Sequence, residues 1–257
     1  MIFAFVLSLF CINCSAQETS MSWYCAHVKD HKQPSLAQEF SFVENCGGYY
    51  LDHREDSDGN CDKVIYLTFD AGYENGNVAK VLDVLKEEDV PGAFFVLGHL
   101  ISNNSDLIMR MKTEGHLVCN HTVRHRDMSG MTDEAFLKEL RELEDQYRTL
   151  TGEEMSKYYR PPEGRFSKSN LEAAQASGYK TIFWSFAYPD WDNQKQMTPQ
   201  KAKQIILDNL HPGEVMLLHP TSSVNAEILG DVIREIKRQG YHFGTLDELT
   251  GGTNENS

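Results

Sequence analysis

The sequence predicts a single α/β domain built on parallel strands, and two features carry that expectation. From Lys63 onward, short apolar runs alternate with amphipathic helical patterns about seven times, and successive parallel strands need crossovers of that kind. A length of 257 residues with 40% hydrophobic content suits one large core of an ordinary globular protein. The strand runs are 64–69 (VIYLTF), 92–97 (GAFFVL), 116–119 (HLVC), 157–160 (KYYR), 180–184 (KTIFW), 214–218 (EVMLL) and 241–245 (YHFGT). Each is short, apolar or aromatic, and bounded by Gly, Pro or polar residues. Between them, residues 77–89 set Val78, Val81, Leu82 and Leu85 on one helical face. Residues 133–150 do the same with Phe136, Leu140, Leu143, Tyr147 and Leu150. Thr132 suits the N-cap of that helix, Asp133 and Glu134 its first turn, and Gly152 its end. Further helices fit 105–114, 167–177, 199–210 and 225–239. On pattern alone, an open doubly wound sheet and a (β/α) barrel are both solutions.

Ahead of this cadence, residues 17–62 are polar and irregular and read as an N-terminal extension wrapped on the domain, which spans 63–250. Residues 1–16 carry an apolar run from Ile2 to Phe10 and small residues up to Ala16. They resemble a signal peptide, which implies an exported protein acting outside the cytoplasm. The run is too short for a spanning helix, which needs about 20 residues. A net charge of −14 argues against nucleic acid or anionic lipid as a partner. A neutral glycan meets no such penalty. Cleavage after Ala16 would leave four of the six cysteines, and no zinc-spaced Cys-x-x-Cys pair appears among those four. Cys119 lies in a strand run and reads as core, whereas Cys46 and Cys61 are free to form a bridge after export.

The residues with chemical potential fall where strands end. Asp70 closes the first run in "LTFDAGYENG", His121 and His125 follow the third in "NHTVRH", and Arg160 ends the fourth in "RPPEG". Asp190 and Trp191 in "YPDW" follow the fifth, and His219 in "LLHP" follows the sixth. In a parallel α/β protein these ends share one rim, the face that carries active sites in barrels. The His-x3-His spacing lets both imidazoles reach one metal ion from a helical turn or a tight loop. A guanidinium at 160 can clamp a carboxylate bidentately, with Asp190 as its expected partner. Alone, Asp70 would pass for a turn residue, Arg160 for a surface charge and His219 for a core histidine. Their common placement raises them above that.

The order "TFDAGYENG", "NHTVRH", "RPPEG", "DW", "LLH" resembles the polysaccharide deacetylases of the NodB-homology group, carbohydrate esterase family 4. The resemblance runs from about Val64 to Leu249, roughly three quarters of the chain. With "WYCAHVKDHKQP" upstream and "HPGEVMLLH" and "FGTLDEL" downstream, it is similar in particular to the delta-lactam-biosynthetic de-N-acetylases of spore-forming bacteria. The resemblance implies a distorted (β/α)7–8 barrel and metal-assisted hydrolysis of an acetamide. It implies Asp70 as general base, His219 as general acid, His121 and His125 as metal ligands, Arg160 orienting Asp70, and Asp190 holding Arg160. It assigns Tyr73, Glu163, Gly164 and Trp191 to the substrate, with the Glu163 backbone N–H sharing the oxyanion.

The chemistry agrees: an acetamide is a poor electrophile and needs a strong nucleophile, an oxyanion partner and a proton for nitrogen. One departure stands out. The family usually places a third, carboxylate ligand directly after the base, where this chain has Ala71. A divalent ion, zinc, held weakly by two imidazoles is the expectation. The expected substrate is N-acetylmuramic acid in peptidoglycan glycan strands, on the way to the muramic delta-lactam of spore cortex, with no protein partner required. Deacetylation of N-acetylglucosamine in peptidoglycan or chitin-like oligomers is the alternative within enzymes. A non-catalytic glycan-binding module is the alternative outside them.

Overall fold

The computed structural model describes residues 19–55 and 58–251. The expected leader over residues 1–16 lies outside the described residues. In chain order the strands are β1 (Met21–Ser22), β2 (Gly48–Tyr49), β3 (Val64–Ala71), β4 (Ala93–Val96), β5 (Leu117–Asn120), β6 (Tyr158–Tyr159), β7 (Arg165–Phe166), β8 (Lys180–Ile182), β9 (Phe186–Ala187), β10 (Glu214–Leu218) and β11 (His242–Gly244). The helices are α1 (Val78–Glu88), α2 (Gly98–Asn103), α3 (Ser105–Thr113), α4 (Asp133–Thr151), α5 (Lys168–Ala176), α6 (Pro199–Asp208), α7 (Ser223–Arg238) and α8 (Leu246–Leu249).

The main sheet runs β2-β8-β6-β5-β4-β3-β10-β9, with every pairing parallel. β11 pairs with residues 64–66 of β3, sharing that edge with β4, which pairs with residues 68–71. The sheet curls into an open (β/α) barrel, so of the two solutions left by the pattern the barrel is the one adopted. Val64, Tyr66, Phe95, Cys119, Ile182 and Val215 fill its interior, while Ile65, Leu67, Phe69 and Ala71 pack on the helix side. This is the period of two expected of a strand covered on both faces.

Helix signals worked as written. Thr132 accepts from the Ala135 N–H, and Gly152 ends α4 at φ 75°. The strands β2 and β9 are two residues each, too short to carry an apolar period, and α2 and α8 are similarly brief. The N-terminal segment is more than a loose wrap. It contributes β2 to the sheet edge and an aromatic cluster in which Trp23, Phe40 and Tyr50 meet Phe166 and Phe183. Beneath the barrel, Asp52 takes hydrogen bonds from Tyr66 Oη (2.6 Å) and from Arg54. The four described cysteines are free thiols. No described helix is long and apolar enough to cross a membrane.

Two glycines separate backbone strain from crowding. Gly213 sits at φ 71°, and a Cβ there would lie 2.2 Å from the Asp52 carbonyl oxygen. Gly152 has a similar φ of 75° with no atom within 4 Å of that position. Gly152→Ala should cost about 1 kcal/mol, the left-handed penalty alone. Gly213→Ala should cost about 2–4 kcal/mol, since the Asp52 backbone must also move. Urea midpoints of the two variants check the difference.

Candidate active site

Arg160 organises the rim. It is fully buried, its guanidinium 4.1 Å from the Phe95 ring centroid. Nε donates to the Ile182 carbonyl (3.0 Å), Nη1 to Asp70 Oδ1 (2.9 Å), and Nη2 to Thr68 Oγ1 (2.9 Å) and the Phe183 carbonyl (3.2 Å). A buried charge needs that degree of partnering. Arg160 also acts through its backbone, because its carbonyl accepts the Nδ1–H of His121 (2.9 Å). That bond fixes the tautomer and leaves His121 Nε2 unprotonated and 3.5 Å from Asp70 Oδ2.

The His121–His125 segment is a tight loop, the second of the two geometries the spacing allowed. Asn120 at the end of β5 accepts from the Thr122 N–H (2.9 Å), and Thr122 Oγ1 accepts from the His125 N–H (3.0 Å). Thr122 and His125 both take left-handed φ values, 71° and 52°. Such residues cost of order 1–3 kcal/mol each and persist only where the surroundings fix them. The result brings the two imidazoles to 5.0 Å between ring centroids.

Across the rim, His219 Nδ1–H donates to Asp190 Oδ1 (2.7 Å), and the His219 backbone N–H donates to Asp190 Oδ2 (2.8 Å). Here the sequence expectation is corrected: Asp190 holds His219 and makes no hydrogen bond to Arg160. The reason is geometric. Arg160 is already saturated from inside the barrel by β3 and β8, while Asp190 leaves β9 beside β10, the strand that ends at His219. Asn225 completes the group, donating to Asp190 Oδ2 (2.6 Å) and the His219 carbonyl (3.1 Å) while accepting from Tyr188 Oη.

Asp70, Tyr73, His121, His125, Glu163, Trp191 and His219 line one cavity of about 720 Å³. Arg160 and Asp190 lie buried behind it. Gly164 packs between Trp23 and Trp184 instead of lining it. Trp191 and Tyr73 are exposed at the mouth. Sequence reasoning missed Thr68, Asn120, Thr122, Trp184 and Asn225. Asn120 and Thr122 carried a usable signal, since Asn and Thr form local turns by accepting from the backbone.

Burial alone would raise the Asp70 carboxyl, and its electrostatic interactions with His121, Arg160 and His219 together outweigh that, leaving it below its ordinary value. Burial pulls His121 down to about 4 against the opposing pull of Asp70, so its imidazole is neutral at pH 7. His219 goes the other way: burial disfavours its charge, but the hydrogen bond and charge of Asp190, with Asp70 adding, raise it.

A divalent ion fits this donor set only in part. His121 Nε2 and the His125 ring offer two imidazole donors at one wall. Ala71 is fully buried and supplies none, and no set of three His, Cys, Asp or Glu side chains converges as ligands among the described residues. His121 and His125 would hold such an ion, and the donor set falls short of a three-ligand protein centre.

A carboxylate, an imidazole pair and a carboxylate-backed histidine thus line one cavity. Residues 57–182 match the model of the polysaccharide deacetylase family, and the chain belongs to that family. It is 38% identical over 230 residues to the peptidoglycan-N-acetylmuramic acid deacetylase PdaA of Bacillus subtilis, covering 89% of this chain and 85% of that protein. It is 39% identical over 240 residues to an uncharacterised 30.6 kDa protein of Geobacillus stearothermophilus, covering 93% and 88%. The solved structure of Bacillus subtilis PdaA, a family 4 carbohydrate esterase, superposes with a TM-score of 0.84 over 90% of this chain and 97% of that one.

Arg160→Met should destabilise the fold by about 3–5 kcal/mol, because it strands the Asp70 carboxylate in the barrel. Replacing Asp70 and Arg160 together by Asn and Met should recover part of that loss. Denaturant titrations of the single and double variants measure it.

Proposed function

We propose that the protein removes the N-acetyl group from muramic acid residues of peptidoglycan glycan strands, supplying the free amine that closes to the muramic delta-lactam. The observation that carries the chemistry is the grouping of Asp70, His121, His125 and His219 around one cavity. The muramic assignment is supported by the similarity to PdaA along nearly the whole chain. It also favours action outside the cytoplasm, with residues 1–16 as leader, 17–62 as extension and 63–250 as catalytic domain.

In this reading Asp70 is the base. Arg160 occupies Oδ1 and keeps the carboxylate ionised, so Oδ2 is the atom that accepts a proton from the attacking water. The water oxygen adds to the acetyl carbon, and the Glu163 backbone N–H, on a turn at φ 55°, faces the developing oxyanion. His219 keeps Nδ1–H on Asp190 and delivers the Nε2 proton to the departing nitrogen, so the C–N bond breaks to acetate and an amine. Tyr73 and Trp191 offer apolar walls to the sugar, and Gly164 serves it indirectly by shaping the turn. His121 and His125 would hold the divalent ion, zinc in this reading. Bound there, it would lower the pKa of water and polarise the acetyl carbonyl.

Mass spectrometry of peptidoglycan fragments, before and after incubation with protein and divalent ion, tests the reading. Loss of acetyl from muramic residues is expected, with later loss of water on ring closure. Acetyl loss confined to glucosamine residues, or release from chito-oligomers alone, would replace muramic with glucosamine specificity. Asp70→Asn should lower kcat by about 10²–10⁴-fold. Chelation should abolish turnover, and added ion should restore it.

The pH dependence follows from His219. As the acid it works when protonated, so activity falls as pH rises through its pKa, which Asp190 holds above the ordinary value. Asp190→Asn removes that charge, and the alkaline limb of kcat should move to lower pH. A limb that stays in place would take the acid role away from His219.

A further inference from the structure

The family match begins at residue 57, yet the segment before it reaches the rim. β1 pairs antiparallel with β7, Met21 opposite Phe166 and Ser22 opposite Arg165. The next residue, Trp23, is buried and bonded twice: its backbone N–H donates to the Gly164 carbonyl (2.8 Å), and Nε1–H to the Trp184 carbonyl (2.9 Å). Its indole stacks on Phe183, with ring centroids 4.3 Å apart, and on Phe40 at 5.0 Å.

These contacts converge on the turn that carries Glu163. A Cβ added at Gly164 would lie 2.8 Å from Trp184 Cη2 and 3.1 Å from Trp23 Cβ, so the Trp184 indole and the base of the Trp23 side chain both close on the turn. Glu163 and Gly164 hold φ values of 55° and 65° there. A left-handed non-glycine residue relaxes unless its surroundings fix it, and an oxyanion donor works only when it is fixed in advance. The same strand also reaches the histidine loop. Ser20 Oγ meets Ser129 Oγ at 2.7 Å, Ser129 Oγ donates to Asp127 Oδ1 (2.6 Å), and Arg165 Nε lies 2.7 Å from Asp127 Oδ2.

We propose that Trp23 is a positioning residue for the Glu163 turn, and that the N-terminal segment outside the matched region is thereby a working part of the active site. It acts through Gly164 and Trp184 and touches no substrate. The inference rests on the reading of Glu163 N–H as oxyanion donor in the proposed deacetylation.

The test is Trp23→Phe in the full chain, with Phe40→Leu as the comparison. Trp23→Phe keeps an aromatic ring against Phe183 and the Cβ against Gly164, and removes the Nε1–H donor to the Trp184 carbonyl. Phe40→Leu loosens the same cluster without touching the turn. The expected result for Trp23→Phe is a kcat lowered about tenfold, less than the loss of a whole oxyanion donor, with KM within about twofold. Amide exchange across residues 163–166 should quicken, whereas Phe40→Leu should lower thermal stability with kcat and that exchange near wild type. Equal kcat losses in the two variants, or wild-type kcat and exchange in Trp23→Phe, would overturn the proposal. If the wild-type chain releases no acetate, the deacetylase reading fails by itself, and the exchange rates across 163–166 then decide the role of Trp23.

Discussion

The buried guanidinium of Arg160 is the constraint on which the site depends. Its side chain fixes the Asp70 carboxylate and its backbone carbonyl fixes the His121 imidazole, so one residue sets the spacing between the base and a metal-facing nitrogen. A charge inside a barrel is costly unless nearly every N–H finds a partner, and here the partners come from β3 and from the chain leaving β8. Only a planar fork satisfies acceptors in those separate directions at once, which a single ammonium would not do. The barrel must therefore close around Arg160 before the rim has its geometry, and folding and preorganisation become one event.

The loops complete what the barrel begins. The β5 loop reaches its shape by local acceptors, Asn120 for Thr122 and Thr122 for His125, and these bonds hold His125 in a backbone region that its side chain disfavours. The turn at Glu163 closes on the bond from the Gly164 N–H to the Pro161 carbonyl (3.0 Å), and Trp23 and Trp184 back it from outside. The two walls of the cavity are thus held by different means, one by its own sequence and one with the help of a distant segment.

That contrast explains what was legible beforehand. Strong periodicity announced β3, α4 and α7, and the strand ends announced Asp70, His121 and His219, because period and position are written locally. The partner of Asp190 was not. A carboxylate and a guanidinium in one sequence invite pairing, but which charges meet depends on strand order, and β9 lies beside β10. β2 and β9 escaped for a related reason: two residues of strand exist because a neighbour offers an edge, not because their own side chains alternate. Trp23 looked like part of a polar wrap, and only its contacts with Gly164 and Phe183 give it a role.

Separating the two carboxylates has a chemical consequence that a shared one would lose. Asp70 faces a guanidinium that stays protonated at any accessible pH, so its charge is fixed and it can only receive a proton. Asp190 faces an imidazole, and its charge stabilises the protonated ring, so His219 is prepared to give one. Had Asp190 paired with Arg160, His219 would have lost its hydrogen-bonded carboxylate and kept only the more distant Asp70 against the burial that disfavours its charge. Opposite protonation states side by side require environments that push the two groups apart. The strand order that sends Arg160 inward and Asp190 toward β10 supplies them.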